Sequence, residues 1–322
     1  MSFQPTEPFV SAPGLTNEHA QTIYANLVRP LHTPELRRTR RELPDGDFVD
    51  VDTFDGPPGA PHVVALHGLE GSSRAGYIAA VLRGAKARGW GATALNFRSC
   101  SGEPNRLART YHSGHIDDAL GLMRDLRAQV TGPLFAVGFS LGANVLCRLL
   151  EDQGENAPVN AAASISAPYD LDACCRKLDG PGVFHLLYRE RFLRTLKSKA
   201  RAKLKRFPGA FDGRAMEAAR TVRAFDHAVT APLHGFRSAE HYYAESSSGS
   251  RLHAIRKPTL LISAADDPML ESPVIPPQAK DNPHLSIVET AHGGHVGFVA
   301  GHVHRPRFWA EEQALDFFAS FR

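Results

Sequence analysis

What this sequence has little of narrows its chemistry. Its four cysteines among 322 residues, Cys100, Cys147, Cys174 and Cys175, show no paired spacing of a metal-binding framework. Adjacent Cys174 and Cys175 make a poor structural disulfide, so a reducing compartment suits the set. No run approaches the roughly 18 consecutive apolar residues of a membrane-spanning helix. The N-terminal Met-Ser-Phe-Gln-Pro-Thr-Glu-Pro has neither a basic nor an apolar region, so no secretory signal is evident and a cytoplasmic location is expected. A net charge of +3 is too small to imply a nucleic-acid partner. There is no glycine-rich phosphate loop and no nucleotide fingerprint, and no cofactor is expected. With 43% hydrophobic and 22% charged residues the composition is that of a soluble globular protein. Its length suits one α/β domain with an insertion.

The strongest chemical signal lies at residues 133–150. A short apolar run, Leu134 to Val137, meets Gly138-Phe139-Ser140-Leu141-Gly142, and a helical apolar pattern follows at once. A Gly-x-Ser-x-Gly pentapeptide between a strand and a helix forms a turn that leaves no room for side chains beside the serine and pushes its hydroxyl into the open. Ser140 is therefore the candidate nucleophile. The bland alternative is a glycine-rich turn before a helix.

Residues 1–36 are proline-punctuated and irregular, with an amphipathic piece from His19 to Val28, and are expected to pack on the body as an extension. Residues 37–54 read as a hairpin turning at Pro44-Asp45-Gly46. From residue 62 to 167 short apolar strands alternate with helical stretches, which predicts βαβ units, a mostly parallel sheet and helices on both faces. This first part of an α/β core spans 37–167. Alternation then stops, and residues 168–250 predict an inserted helical cap. It returns over 251–322, with strands at 258–263 and 285–288 and a terminal helix over 308–318.

A serine hydroxyl needs a neighbouring base, usually an imidazole oriented by a carboxylate. Such groups come from loops after later strands. Ala265-Asp266-Asp267-Pro268 follows one strand and His292-Gly293-Gly294-His295 follows the next. Asp267 is the chosen acid because it reaches farther from the strand, with Asp266 as the alternative that caps the loop. His295 is the chosen base because two glycines precede it and let its loop approach the serine turn. His292 is read as loop packing. The anion site falls in His67-Gly68-Leu69-Glu70-Gly71, with the backbone N–H groups of Leu69 and Leu141 as its donors. One such donor is worth roughly 3 kcal/mol of transition-state stabilisation.

With these residues assembled, the chain resembles the α/β-hydrolases, and within them the YheT-type branch, whose eukaryotic relatives are membrane-anchored lipid hydrolases. The resemblance rests on residues 67–71, 96–103, 111–114, 138–142, 225–232, 266–268 and 293–298. It implies the α/β-hydrolase fold, carboxylic-ester hydrolysis and Ser140, Asp267 and His295 as the triad. Ser99 departs from the branch, where glycine is more frequent. The eukaryotic membrane anchor is absent, so lipid-surface residence is not implied.

The expected activity is therefore a serine esterase acting on a small-molecule ester, of short- to medium-chain or lipid-like type. Thioester cleavage or acyl transfer by the same triad is the alternative, and an idle ligand-binding relative the third. The basic segment 189–206 predicts a helix with Leu193, Leu196, Ala200 and Leu204 on one stripe. Its bland reading is a solvated face; its sharper reading is a patch for peripheral contact with anionic lipid or an acidic carrier. Cys100 reads as packing. His302-x-His304 lacks a third ligand and reads as surface loop, so no metal is expected. Arg98 and His112 are candidates for lining the pocket, with no assigned role.

Overall fold

A strand buried on both faces must send consecutive side chains into two cores, and Leu134–Phe139 does so. Leu134 and Ala136 enter one apolar cluster, and Phe135, Val137 and Phe139 enter the other. In the computed structural model, which describes residues 3–321 (residues 1, 2 and 322 lie outside them), this strand is β5 of an eight-stranded sheet. The other members are β1 (Arg37–Glu42), β2 (Phe48–Phe54), β3 (His62–Leu66), β4 (Gly91–Asn96), β6 (Ala161–Ile165), β7 (Thr259–Ala264) and β8 (Leu285–Thr290). The order is β1-β2-β4-β3-β5-β6-β7-β8, and only β2 runs antiparallel to its neighbours. Helices α3 (Asp117–Gln129) and α4 (Leu141–Gln153) pack on the first face, and α2 (Gly76–Ala87) and α11 (Trp309–Ala319) on the second. The chain thus moves to one side after β3 and to the other after β5. That reversal opens a crevice at the carboxyl ends of these two strands.

The hairpin expected at 37–54 is β1 and β2, and cross-strand pairs Arg38–Asp52 and Arg40–Asp50 bring opposite charges together. The expected strand over 161–167 stops at Ile165, because Ser166 turns with φ 51°. His19 to Val28 forms α1 (Glu18–Val28), capped by the Asn17 side chain. The segment read as loop at His302-x-His304 is the turn of a hairpin, β9 (Val299–His302) with β10 (Arg305–Phe308). Its four-residue strands are too short to show periodicity. Among the described residues no group of three His, Cys, Asp or Glu is placed to hold a metal.

Between β6 and β7 the described chain is helical: α5 (Leu171–Leu178), α6 (Val183–Arg206), α7 (Gly213–Ala218), α8 (Val222–Phe225), α9 (Ala231–Leu233) and α10 (Ala239–Ser246). A π-helical stretch, Asp226–Thr230, joins α8 to α9 within the motif 225–232. The predicted α6 stripe packs inward: Leu193 and Ala200 are buried, with Leu196 and Leu204 against them. The basic residues divide. Lys197 donates to the carbonyls of Glu217 and Ala219, Lys203 to those of Asn105 and Leu107, and Arg206 to that of Asn105.

Arg98 does more than line a pocket. Its buried guanidinium donates twice to Asp118, at 2.8 and 2.7 Å, and also to Asp45 and Asp47, tying the loop after β4 to α3 and the β1–β2 turn. Burial alone raises the Asp118 carboxyl, yet hydrogen bonds from Arg98 and His115 win and hold it well below the usual carboxylate range. Arg98→Met strands the buried carboxylates of Asp47 and Asp118. Urea denaturation at pH 7 should show a loss of about 3–5 kcal/mol. Because the native pair depresses Asp118, that contribution exists above the unfolded carboxyl value and fades as pH falls below it. The gap between variant and wild type should therefore narrow below about pH 4.

Candidate active site

Ser140 sits between β5 and α4 with φ 52° and ψ −120°, a left-handed backbone that non-glycine residues rarely adopt. Its N–H donates to the Ile165 carbonyl at 2.9 Å, which ties the turn to the neighbouring strand. The flanking glycines have steric reasons. A Cβ at Gly138 would lie 2.6 Å from Ala143 Cα, and one at Gly142 would lie 2.5 Å from the His67 carbonyl oxygen.

Three of the side chains singled out from sequence meet at this turn. His295 Nε2 lies 2.9 Å from Ser140 Oγ, and His295 Nδ1 lies 2.9 and 3.1 Å from the two oxygens of Asp267. The Asp267 side chain is fully buried and also accepts the Met269 N–H at 2.8 Å. A carboxylate that accepts from Nδ1–H leaves Nε2 as the acceptor for the serine hydroxyl. That arrangement has the geometry for general-base activation of Ser140. Asp266 instead accepts the Gly294 N–H and contacts the exposed His292, both at 3.1 Å, so it braces the histidine loop.

The glycines before His295 serve a different approach from the one expected. A Cβ at Gly294 would lie 2.4 Å from the Glu18 carbonyl oxygen and 2.6 Å from Thr22 Oγ1, so it admits α1, while one at Gly293 would lie 2.8 Å from the Phe298 ring; neither makes room for the serine turn. Thr22 Oγ1 accepts the His295 N–H at 2.9 Å. Gln21 accepts the Val299 N–H, and Arg29 donates to the carbonyls of Val296 and Gly297. The N-terminal segment thus supports the base.

The loop after β3 is fixed by two tyrosines, Tyr77, which sequence reasoning passed over, and Tyr111, to which the motif 111–114 assigned no role. Tyr77 Oη accepts the Gly68 N–H at 3.0 Å and Tyr111 Oη accepts the Glu70 N–H at 2.8 Å. The Gly71 N–H turns back to the Gly68 carbonyl. The N–H groups of Leu69 and Leu141 have no acceptor among the described residues, and both residues line the cavity at Ser140. Glu70, itself left-handed at φ 57°, accepts from Tyr111 Oη at 2.9 Å and from Lys199 Nζ at 2.8 Å. His67 links the loops after β3 and β4, contacting the Gly68 carbonyl through Nδ1 and accepting the Phe97 N–H on Nε2. Burial lowers its pKa to about 4, which keeps it neutral for both roles.

A mainly apolar cavity runs from Ser140 beneath the helices, walled by Leu171, Leu178, Phe192, Leu196, Val222 and Val229. His112 lines it, half-buried and held well below its ordinary pKa by desolvation first and by neighbouring His234 and His115 next. Asp226 also lines it. Desolvation raises its carboxyl to about 6, against hydrogen bonds from Thr230 and Tyr243. A second, more open groove reaches Ser140 and His295 from the other side, between α1 and α6. Cys100 is buried near Lys199, its thiol pushed up to about 11 by desolvation, which fits packing. Ser99 keeps its left-handed φ of 63° with a hydroxyl that donates to Asn105 Oδ1 and accepts the Asn105 N–H.

Residues 63–312 match the model of the alpha/beta hydrolase family. The chain is 38% identical to the YheT protein of Escherichia coli, covering 99% of this chain and 95% of that one. It is 28% identical to the phospholipase ABHD3 of Mus musculus, over 92% and 74% of the two chains. Among solved structures an esterase of Pyrococcus furiosus superposes with a TM-score of 0.55 at 17% identity, covering 81% of this chain and 83% of that one. At that identity the likeness speaks for the fold.

Tyr111 tests how far the loop geometry matters. Tyr111→Phe removes the acceptor of the Glu70 N–H while keeping the ring stacked on Phe97. Turnover of an activated ester should fall by about tenfold, less than loss of an anion-site donor itself. Circular dichroism and the KM should change little.

Proposed function

The chain belongs to the alpha/beta hydrolase family, and from that premise we propose that it is a serine esterase cleaving carboxylic esters through Ser140, His295 and Asp267. The observation that carries this reading is the unbroken hydrogen-bond chain from Ser140 Oγ through both imidazole nitrogens to a buried carboxylate. Ser140 Oγ attacks the ester carbonyl as His295 Nε2 takes its proton. Asp267 fixes the imidazole tautomer and stabilises the charged ring. The N–H groups of Leu69 and Leu141 receive the negative charge that develops on the carbonyl oxygen, which is why their lack of other partners supports the assignment. His295 returns the proton to the departing alcohol. A water then attacks the acyl group on Ser140 by the same exchange and releases the acid.

The apolar cavity under the helices supports an apolar acyl group on that side of Ser140, and the open groove supports the alcohol on the other. The same reading takes residues 168–250 as the cap of a core formed by 37–167 and 251–322, with 1–36 as an extension packed on it. The reaction draws on the three side chains, the two main-chain N–H groups and water.

The test is kinetic and chemical. A fluorophosphonate probe should label wild type at Ser140, and Ser140→Ala should neither label nor hydrolyse p-nitrophenyl esters above about one part in 10⁴ of the wild-type rate. Asp267→Asn should cost about 10⁴-fold in turnover. Asp266→Asn leaves the three-residue chain in place and should stay within about tenfold of wild type. Full esterase activity in Ser140→Ala overturns the proposal.

A further inference from the structure

Apolar side chains normally leave the surface as isolated exceptions, so a cluster of them calls for an explanation. Helix α6 opens with Val183, Phe184, Leu186 and Leu187, which are 64%, 38%, 45% and 56% exposed. At the end of α1 and just beyond it, Leu27 is 79% exposed and Leu31 65% exposed. None of the six belongs to an apolar cluster of the interior. The two elements touch: the His19 ring stacks on Phe184 at 4.2 Å, and His19 Nδ1 meets Tyr188 Oη at 3.1 Å.

The open groove runs between these two elements. Leu27 and Leu31 line it together with Ile23 and Tyr188, and its floor holds Ser140 and His295. Arg74 and Arg191 line it as well, both exposed, and neither guanidinium has a carboxylate or hydrogen-bond partner among the described residues. Arg191 follows Leu187 by four positions, one helical turn on the same face. Of the nearby acids, Glu70 lines the groove but is paired with Lys199, Glu18 is engaged by Asn17 and His19, and Glu190 lies over a separate groove with Arg194, Lys197 and Arg201. The mouth of the groove therefore presents apolar side chains and uncompensated positive charge side by side.

We propose that this face, formed by the first turns of α6, the end of α1 and Arg74, docks onto an anionic lipid surface. The apolar side chains enter the acyl boundary while Arg74 and Arg191 meet headgroup phosphates. The groove then opens toward the lipid, and an ester leaving the bilayer meets Ser140 without crossing water. This places the lipid contact on the apolar start of α6, with Arg191 as the contribution of its basic stretch 189–206, whose Lys197, Lys199 and Lys203 reach inward. The delivery of substrate rests on the esterase reading above; the docking itself does not.

Co-sedimentation with vesicles of equimolar phosphatidylglycerol and phosphatidylcholine provides the test. Wild type should sediment with these vesicles at low salt, less so as salt rises, and weakly with phosphatidylcholine alone. The double variant Phe184→Asp, Leu187→Asp should bind about tenfold less or weaker still, yet hydrolyse a soluble short-chain p-nitrophenyl ester at the wild-type rate. Ser140→Ala should keep vesicle binding, which separates docking from catalysis. Absence of wild-type binding, or equal binding by the double variant, overturns the proposal. So does sedimentation-velocity evidence that the same face joins two copies of the chain, with dimer lost in the double variant and no vesicle bound. Equal binding to phosphatidylcholine alone overturns the role of the arginines.

Discussion

The turn at Ser140 holds a non-glycine residue in a left-handed conformation, which costs about 1–3 kcal/mol and persists only where surroundings enforce it. Here the enforcement is mutual. The Ser140 N–H is fixed to β6, and its carbonyl accepts the N–H groups of Ala143 and Asn144 at the start of α4. Gly142 lies so close to the carbonyls of Leu66 and His67 that the loop after β3 and the serine turn form one packed unit. The other left-handed non-glycine residues have the same address. Glu70 follows β3, Ser99 follows β4, Ser166 follows β6, and Val296 and Phe298 follow β8. Backbone strain is thus concentrated along the carboxyl edge of the sheet, around one crevice, which is where a site would need it.

The imidazole depends on a different constraint, remote in sequence. Its loop carries two of those left-handed residues, Val296 and Phe298. Helix α1 and the residue that caps it brace this loop through Gln21, Thr22 and Arg29, and Arg29 is anchored in turn by buried Glu311 at 2.9 Å. An N-terminal segment of this kind is part of the site even though none of its side chains need touch a substrate. The ring of His295 is aimed by Asp267, while its main chain is placed by Thr22.

These two constraints explain what could be read in the sequence. The sheet strands were legible because β5 and its neighbours are short apolar runs bounded by turn residues, and Ser140, Asp267 and His295 were legible because each follows a strand. The packing reason for Gly138 and Gly142 was local and came out as expected. The reason for Gly294 did not, because its neighbour is helix α1, more than 260 residues earlier, and Gly293 makes room for the Phe298 ring instead. Tyr77 and Thr22 carry no motif of their own, and Tyr111 belongs to one that names no role for it; they matter through hydrogen bonds across the fold, which spacing does not encode. The β9–β10 hairpin was missed for a simpler reason, since four residues per strand give periodicity nothing to act on.

The basic helix α6 shows how composition misleads about place. A run of lysines and arginines reads as a solvated face, but a lysine can bury its stem and deliver its ammonium to a carbonyl or carboxylate. Lys199 reaches Glu70 beside Leu69, and Lys203 reaches the loop after β4. Lys177 of α5 donates to the carbonyls of Asp267 and Leu270 at 2.7 and 2.6 Å. The helices between β6 and β7 are therefore fastened by ammonium groups to the loops after β3, β4 and β7. Each contact is replaceable by water, so the helices are held polar end to polar end over an otherwise apolar cavity. Two of the three lysines thus end on the loops that carry Leu69 and Asp267, and the third on the loop after β4.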